Sequence, residues 1–212
     1  MLAKASSAEQ GSHQWLVDRI GYTSSSVVAA VMAKGSGATR TNLMTKMLCE
    51  IMTGEPVVGF KSKNMEDGNK YEADSRRLYE IMTGSTVKEV GFHYIEKEKH
   101  GSSSDGLVEG TKGAIEIKNV IPSEQVRLIT TGKIKPEYIK QMQDQMYVYE
   151  LDWVDYVQTS FGDEELGTLP DKYQVKIIRV MRDEVMIAEI RKEVAFFHHD
   201  LQKLIKKLKG EE

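Results

Sequence analysis

The chain has 212 residues, 40% apolar and 29% charged, with a formal net charge of −3. That is enough chain to bury one substantial core. No run approaches the roughly 20 apolar residues of a membrane span, and the single cysteine, Cys49, excludes an internal disulfide or a zinc ribbon. The slight negative charge argues mildly against a nucleic-acid partner, although where the lysines lie matters more than their sum.

Residues 1–12 are small and polar and read as a disordered tail. They lack the apolar core of a secretory leader, so a cytoplasmic location is expected. His13 to Ile20 reads as a short helix with Trp15 and Leu16 inward, closed by Gly21. Tyr22 to Ser26 leads into a helix from Val27 to Ala33, whose N-caps the hydroxyls supply. Helix N-termini also attract phosphate. Arg19 and Ser26 therefore read either as an anion pocket or as a serine-rich cap beside a surface arginine. Lys34 to Thr41 reads as a flexible loop. The helix expected over Asn42 to Thr53 has Leu43, Met47, Leu48 and Ile51 inward, with Cys49 in the same pattern as a core thiol. Asn64 to Thr83 reads as a helix entered near Gly68, with Leu78, Ile81 and Met82 as its core stripe. Glu72 is four residues before Arg76, the spacing of a helical ion pair. It reads as a solvated partner of that arginine or as a carboxylate near a metal.

A strand over Val87 to Glu98 is followed by SSSDGLVEGTKGAIEIKNV, Ser102 to Val120. Two apolar runs flank Gly110-Thr111-Lys112-Gly113, a hairpin signal, with strands at Ser104 to Glu109 and Ala114 to Val120. If Glu109 pairs with Ala114, Leu107 faces Glu116 and Asp105 faces Lys118. The period of two then directs Asp105, Glu116 and Lys118 to one face and Val108, Ile115 and Ile117 to the other. Diagonal neighbours in such a ladder lie roughly 7–8 Å apart, so both carboxylates can reach one ion. Like charges on a half-buried face repel and lose hydration, which calls for a cation. Oxygen ligands select a hard ion such as Mg²⁺ or Mn²⁺. The alternative is an exposed edge strand with alternating charges.

Pro122 to Gly132 reads as a helix, then a basic turn, then a second helix begun by Pro136. Tyr138, Met142, Met146 and Tyr149 form its core stripe. Gln141 and Gln145 form a second line, either solvent-exposed or a pair of amides beside the metal site. Trp153 to Phe161 and Tyr173 to Val180 read as strands around an acidic loop, Gly162 to Lys172. A long amphipathic helix capped by Asp183 runs through Ile187, Ile190, Val194, Phe197, Leu201, Leu204 and Leu208. Its terminal lysines complement the helix dipole, and the adjacent His198 and His199 lack the spacing of a helical zinc pair. The element order implies a mixed α/β sheet flanked by helices, with residues 13–212 forming one domain.

Asp, a spacer and then Glu-x-Lys on a strand is the working pattern of the PD-(D/E)xK nucleases. Four blocks in order, HQWLVDRIGYTSSSVV, DGNKYEADSRRLYE, SSSDGLVEGTKGAIEIK and KPEYIKQMQDQMYVY, resemble the phage lambda-type exonucleases of the alkaline exonuclease branch. The resemblance implies a restriction-endonuclease-like core. It also implies a Mg²⁺-dependent enzyme, with two ions for which Mn²⁺ can substitute, that degrades one strand of linear double-stranded DNA from its 5′ end to mononucleotides. It puts metal ligands at Asp105, Glu116 and the carbonyl of Ile117, and the catalytic lysine at Lys118. Glu72 falls on the family's helix glutamate near the metals, and Gln141 on the first glutamine of its Q-x-Q pair. Arg19, Ser26 and Ser103 match residues that hold the 5′-phosphate. The likeness further implies a homotrimeric ring around DNA, with Lys133, Lys135 and Lys140 as candidates for its basic channel, and a single-strand annealing protein as partner. Ser104 stands where the motif has proline, and Arg40 is the candidate for a family arginine without a clear equivalent. The rival readings are a restriction- or repair-type endonuclease and a non-catalytic DNA-binding scaffold.

Overall fold

The computed structural model describes residues 3–8, 10–33, 38–57, 71–162 and 167–210. In chain order its first elements are β1 (Lys4–Ala5), α1 (His13–Asp18), β2 (Thr23–Ser24), a 3-10 turn (Ser25–Val27), α2 (Val28–Val31), α3 (Ala38–Thr53) and α4 (Glu72–Thr83). Next come β3 (Val87–Lys88), β4 (His93–Ile95), β5 (His100–Ser102), β6 (Gly106–Val108), β7 (Gly113–Asn119), α5 (Pro122–Thr131) and α6 (Pro136–Val148). The chain continues with β8 (Trp153–Thr159), α7 (Asp171–Gln174), β9 (Val175–Met181) and α8 (Glu184–Lys209).

The strands form two sheets. The larger runs β3-β6-β7-β8-β9, antiparallel except for the central parallel pair β7 and β8. The smaller runs β1-β4-β5-β2, with β5 and β2 parallel. A parallel neighbour requires a crossover, which α5 and α6 supply between β7 and β8. These helices bury Leu128, Met142 and Met146 against Ala114, Val154 and Tyr156 on one face of the large sheet. On the other face Tyr79 of α4 packs with Val108, Ile115, Ile117 and Val157. The alternation along Gly113–Asn119 is therefore real, and both faces of β7 are covered. A separate core joins α2, α3 and α8 through Val28, Val31, Met44, Met47, Val194, Phe197 and Leu201.

Two glycines let neighbouring strands close in on the hairpin. A Cβ on Gly113 would stand 2.1 Å from the Trp153 ring, and one on Gly106 would stand 2.2 Å from Val87 Cγ1. Trp153 is itself held down by the Arg179 guanidinium 3.6 Å above its ring, and Asp155 fixes that arginine through two bonds of 2.8 Å.

Several expectations are corrected. Where residues 1–12 are described they are ordered: β1 pairs with β4, Ser6 N donates to Phe92 O at 2.8 Å, and Ser12 Oγ caps α1. Helix α3 begins at Ala38, taking in Thr39 to Thr41 that the loop reading had claimed. Met44 and Met47 are its buried residues, whereas Cys49 is exposed; two residues past Met47, it is turned about 200° around the helix. On α4 the inward residues are Ser75 and Tyr79, while Ile81 and Met82 are 71% and 56% exposed. The inner face of α4 meets the polar ends of two strands: Ser75 bonds Asn119 and Thr159, and the Tyr79 hydroxyl bonds Asp155. The expected entry of that helix near Gly68 lies outside the described residues. On α8 the stripe continues from Leu201 to Ile205, a four-residue step, and turns Leu204 and Leu208 outward. The strand expected over Val87 to Glu98 is two short strands, β3 and β4, in different sheets. Among the described residues no helix is long and apolar enough to cross a membrane.

Candidate active site

The hairpin forms, in a register shifted by two residues from the expected one. Leu107 pairs with Ala114 and Gly106 with Ile115, so Asp105 comes opposite Glu116 where Lys118 was expected. The turn explains the shift. Thr111 N and Oγ1 both bond Val108 O, and Gly113 N bonds Thr111 Oγ1, which closes the reversal over Glu109 to Lys112. An even shift keeps every side chain on its face. The ladder ends at Gly106, and the Asp105 side chain takes over the next pairing position, Oδ2 accepting from Ile117 N at 2.6 Å. The N–H and C=O of a strand residue leave the same edge, so the Ile117 carbonyl also points off β7 toward Asp105.

Glu116 is 1% exposed, and each of its oxygens is held. Gln141 Nε2 donates to Oε1 at 2.6 Å, Gln145 Nε2 donates to Oε2, and Lys118 Nζ donates to Oε1. The four-residue spacing on α6 that read as a second line of glutamines is thus a two-handed grip on one carboxylate. Lys118 lies 5.1 Å from the Tyr138 ring centroid, so the first residue of the core stripe also shields the ammonium. Burial disfavours the Lys118 charge, but Glu116 and Asp105 together outweigh it and hold its pKa above the ordinary lysine value. Asp105 shows the converse. Burial first, then the Glu116 charge, push its pKa well above the usual carboxylate range, and Lys118 only partly opposes them.

Glu72, in the first turn of α4, pairs with Arg76 Nη2 at 2.9 Å as its spacing implied. Sequence reading missed what else this arginine does: its Nε donates to the Asp105 carbonyl at 3.2 Å and its Nη1 to Glu89. Burial raises the Glu72 pKa against the opposing effect of Arg76. Nothing in an i,i+4 pattern could have revealed the link to Asp105, which depends on how α4 lies over the sheet. Tyr149 was likewise read only as core, yet its hydroxyl accepts from Ser104 N at 3.2 Å and lies 3.0 Å from Gly91 O and Ser102 O. At the position where the motif has proline, the Ser104 hydroxyl donates to Ile115 O at 3.2 Å, tying the approach to Asp105 onto β7.

A cleft of about 760 Å³ is lined by Trp15, Arg19, Ser24, Ser26, Glu72 and Arg76, among others. The guanidinium of Arg19 lies 4.0 Å from the Trp15 ring centroid, and its Nη2 donates to Ser24 Oγ at 3.0 Å. Ser24 Oγ lies 3.1 Å from Ser26 Oγ. Burial lowers the Arg19 pKa to about 10, which still leaves it cationic at neutral pH. The cleft thus brings Arg19, Ser26 and Glu72 together, and its lining residue Arg76 also bonds the Asp105 carbonyl. Ser103 is not among its lining residues; its buried hydroxyl has no hydrogen-bond partner among the described residues. Arg40 bonds Asp200 at 2.9 Å and Lys135 bonds Glu124 at 2.9 Å, so both face carboxylates of their own chain.

The residues fit a divalent cation. Two carboxylates share one surface with a single ammonium, and burial followed by the Glu116 charge makes ionised Asp105 costly without a cation beside it. Among the described residues no group of three acidic, histidine or cysteine ligands occurs. A cation here would be held by two carboxylates, with a backbone oxygen and water completing its shell, the coordination Mg²⁺ prefers.

Residues 14–152 match the model of the YqaJ-like viral recombinase domain. The fold is similar to that of an alkaline exonuclease (LHK-Exo) from Laribacter hongkongensis, with 38% identity and a TM-score of 0.83 over 93% of this chain and 96% of that one. The same exonuclease in complex with dAMP matches with a TM-score of 0.82. A phage-related exonuclease from Haemophilus somnus shares the fold at 15% identity, with a TM-score of 0.71 over 88% of this chain and 96% of that one. No curated protein matches the chain in sequence.

Proposed function

Because the chain belongs to the YqaJ-like viral recombinase family and shares the fold and 38% of the sequence of an alkaline exonuclease, it is a nuclease, and we propose a divalent-metal-dependent 5′-to-3′ exonuclease. It shortens one strand of linear double-stranded DNA to mononucleotides and leaves 3′ tails for annealing-type recombination. The observation that carries this reading is the opposition of Asp105 and Glu116 at the open end of a hairpin, with Lys118 on the same face.

Asp105, Glu116 and the Ile117 carbonyl would hold Mg²⁺ or Mn²⁺, which when bound polarises the scissile phosphate and acidifies a water. Gln141 and Gln145 keep both Glu116 oxygens in place, so the carboxylate does not reorient as charge develops. Lys118 orients the attacking water and offsets the charge of the pentacoordinate phosphorus. Glu72 stands by as a half-buried carboxylate of raised proton affinity, suited to take up or direct a proton. Arg19, Ser24 and Ser26 bind the terminal phosphate, and each cut then presents a new one. Ser103, with its unused buried hydroxyl, is a further candidate for that phosphate. A ring of three copies around the duplex would retain the DNA between cuts, and a single-strand annealing protein would take up the exposed tail.

The test is release of nucleotides from a 5′-phosphorylated linear duplex with Mg²⁺, beside a covalently closed circle. Loss of the linear DNA and survival of the circle is expected. Linearisation of the circle would favour an endonuclease. Absence of release at every Mg²⁺ or Mn²⁺ concentration would leave a non-catalytic DNA-binding protein.

A further inference from the structure

Away from the carboxylates, five polar side chains from five elements form one largely buried chain of hydrogen bonds. Asp144 of α6 is fully buried; Ser25 Oγ donates to its Oδ2 at 2.6 Å, and His100 Nε2 lies 2.8 Å from both its oxygens. His100 Nδ1 lies 2.7 Å from Thr23 Oγ1, which in turn lies 3.0 Å from His198 Nε2 on α8. With Asp144 a carboxylate, His100 Nε2 donates to it, and the Thr23 hydroxyl bridges the two imidazoles. Burial and then the neighbouring His100 lower the His198 pKa to about 4, in keeping with a neutral ring.

Two neighbouring members of this chain adjoin the site. Ser25 stands between Ser24 and Ser26, the two hydroxyls beside Arg19 in the cleft. Asp144 stands between Gln141 and Gln145, the two amides that hold Glu116. At about 100° per residue, Asp144 lies about 60° round the helix from Gln141 and about 100° from Gln145, so it flanks their face and meets the 3-10 turn while they hold Glu116. A carboxylate removed from water is costly unless it is well bonded, and a purely apolar contact between α6 and the 3-10 turn would pack as well. A buried polar link, in contrast, holds a single relative position.

We infer that Asp144 is a positioning residue, fixing through Ser25 and His100 the distance between the cleft around Arg19 and the carboxylate Glu116. The inference rests on the reading of that cleft as the terminal-phosphate pocket. The spacing so fixed determines which phosphodiester bond reaches the carboxylates when the end is bound, and so links recognition of the end to cleavage one nucleotide inward.

The test uses the full chain with Mg²⁺ and two otherwise identical duplexes, one 5′-phosphorylated and one 5′-hydroxyl. Ser25→Ala removes only the bond to Asp144. It is expected to erase most of the wild-type preference for the phosphorylated end, by about tenfold or more, through KM, with kcat on the hydroxyl end kept within about twofold. In an Arg19→Ala background Ser25→Ala should change the preference no further, whereas a merely destabilising change would lower both substrates alike in either background. Asp144→Asn should add a loss in kcat, because it frees the helix that carries Gln141 and Gln145. If Asp144→Asn fails to fold, Ser25→Ala decides alone. A wild-type preference that survives Ser25→Ala overturns this inference and leaves the phosphate pocket standing. A wild type indifferent to the terminal phosphate overturns the pocket and the inference together.

Discussion

The two ends of the site are built differently. Asp105, Glu116 and Lys118 lie on or at the end of strands in the centre of the large sheet, with helices on both faces, and Glu116 is held by three donors. Arg19 is the C-cap of a six-residue helix, Ser24 ends a two-residue strand and Ser26 lies in a 3-10 turn, where it is exposed. Groups that must be placed to a fraction of an ångström sit on elements whose positions are over-determined. The cleft proposed to admit and release a strand end is made from short pieces near solvent, held from behind by buried hydrogen bonds. Precision resides in the sheet and access in the N-terminal segments.

Breaking the sheet end should have the largest effect. Lys118→Ala is expected to lower kcat by about 10²–10³-fold or more, with DNA binding largely retained in a gel-shift assay; loss of both together would point to misfolding. Asp105 gives a sharper test through pH. Its folded-state pKa is raised above the unfolded value, so its contribution to stability is complete below the ordinary aspartate range and is lost as pH rises toward the raised value. The Tm of metal-free protein should therefore fall over that window. Asp105→Asn should flatten the fall, and added Mg²⁺ should raise Tm more at higher pH. A Tm indifferent to Mg²⁺ would argue against a cation at these carboxylates.

At the pocket end effects should be smaller and selective. Arg19→Ala is expected to lower the preference for 5′-phosphorylated ends by about 10- to 100-fold, the worth of one or two charged hydrogen bonds, measured as the ratio of kcat/KM on the two duplexes. Equal loss on both would remove the pocket assignment. Smallest of all, Ile81→Ser on the exposed face of α4 should change stability by no more than about 0.5 kcal/mol. Tyr79→Ala, two residues earlier and 1% exposed, should cost about 3–5 kcal/mol. Similar costs would mean that the helix faces are misassigned.

What could be read from the sequence follows the same division. A period of two is unambiguous about faces, so the grouping of Asp105, Glu116 and Lys118 was legible even though the register was off by two. The length of the reversal decides register, and that depended on the Thr111 hydroxyl bonds, which no apolar pattern displays. Helix faces were legible where the interior is greasy, as along Ile187 to Leu201. They were misread on α4, because its interior side meets Asn119, Thr159 and Asp155, and polar surroundings reward Ser75 over Ile81. The bonds of Asp144 to Ser25 and His100 join positions 119 and 44 residues apart, and no local spacing encodes such a meeting.

The bare backbone at Gly106 and Gly113 has a consequence for chemistry several residues away. Val87 and Trp153 occupy the room that side chains there would need. In the register that sets acid against acid, both close approaches depend on a residue without a side chain, one at each strand of the hairpin. Alanine at either place is expected to displace Asp105 and Glu116 without touching them, and the damage would be felt first as a poorer hold on the proposed ion.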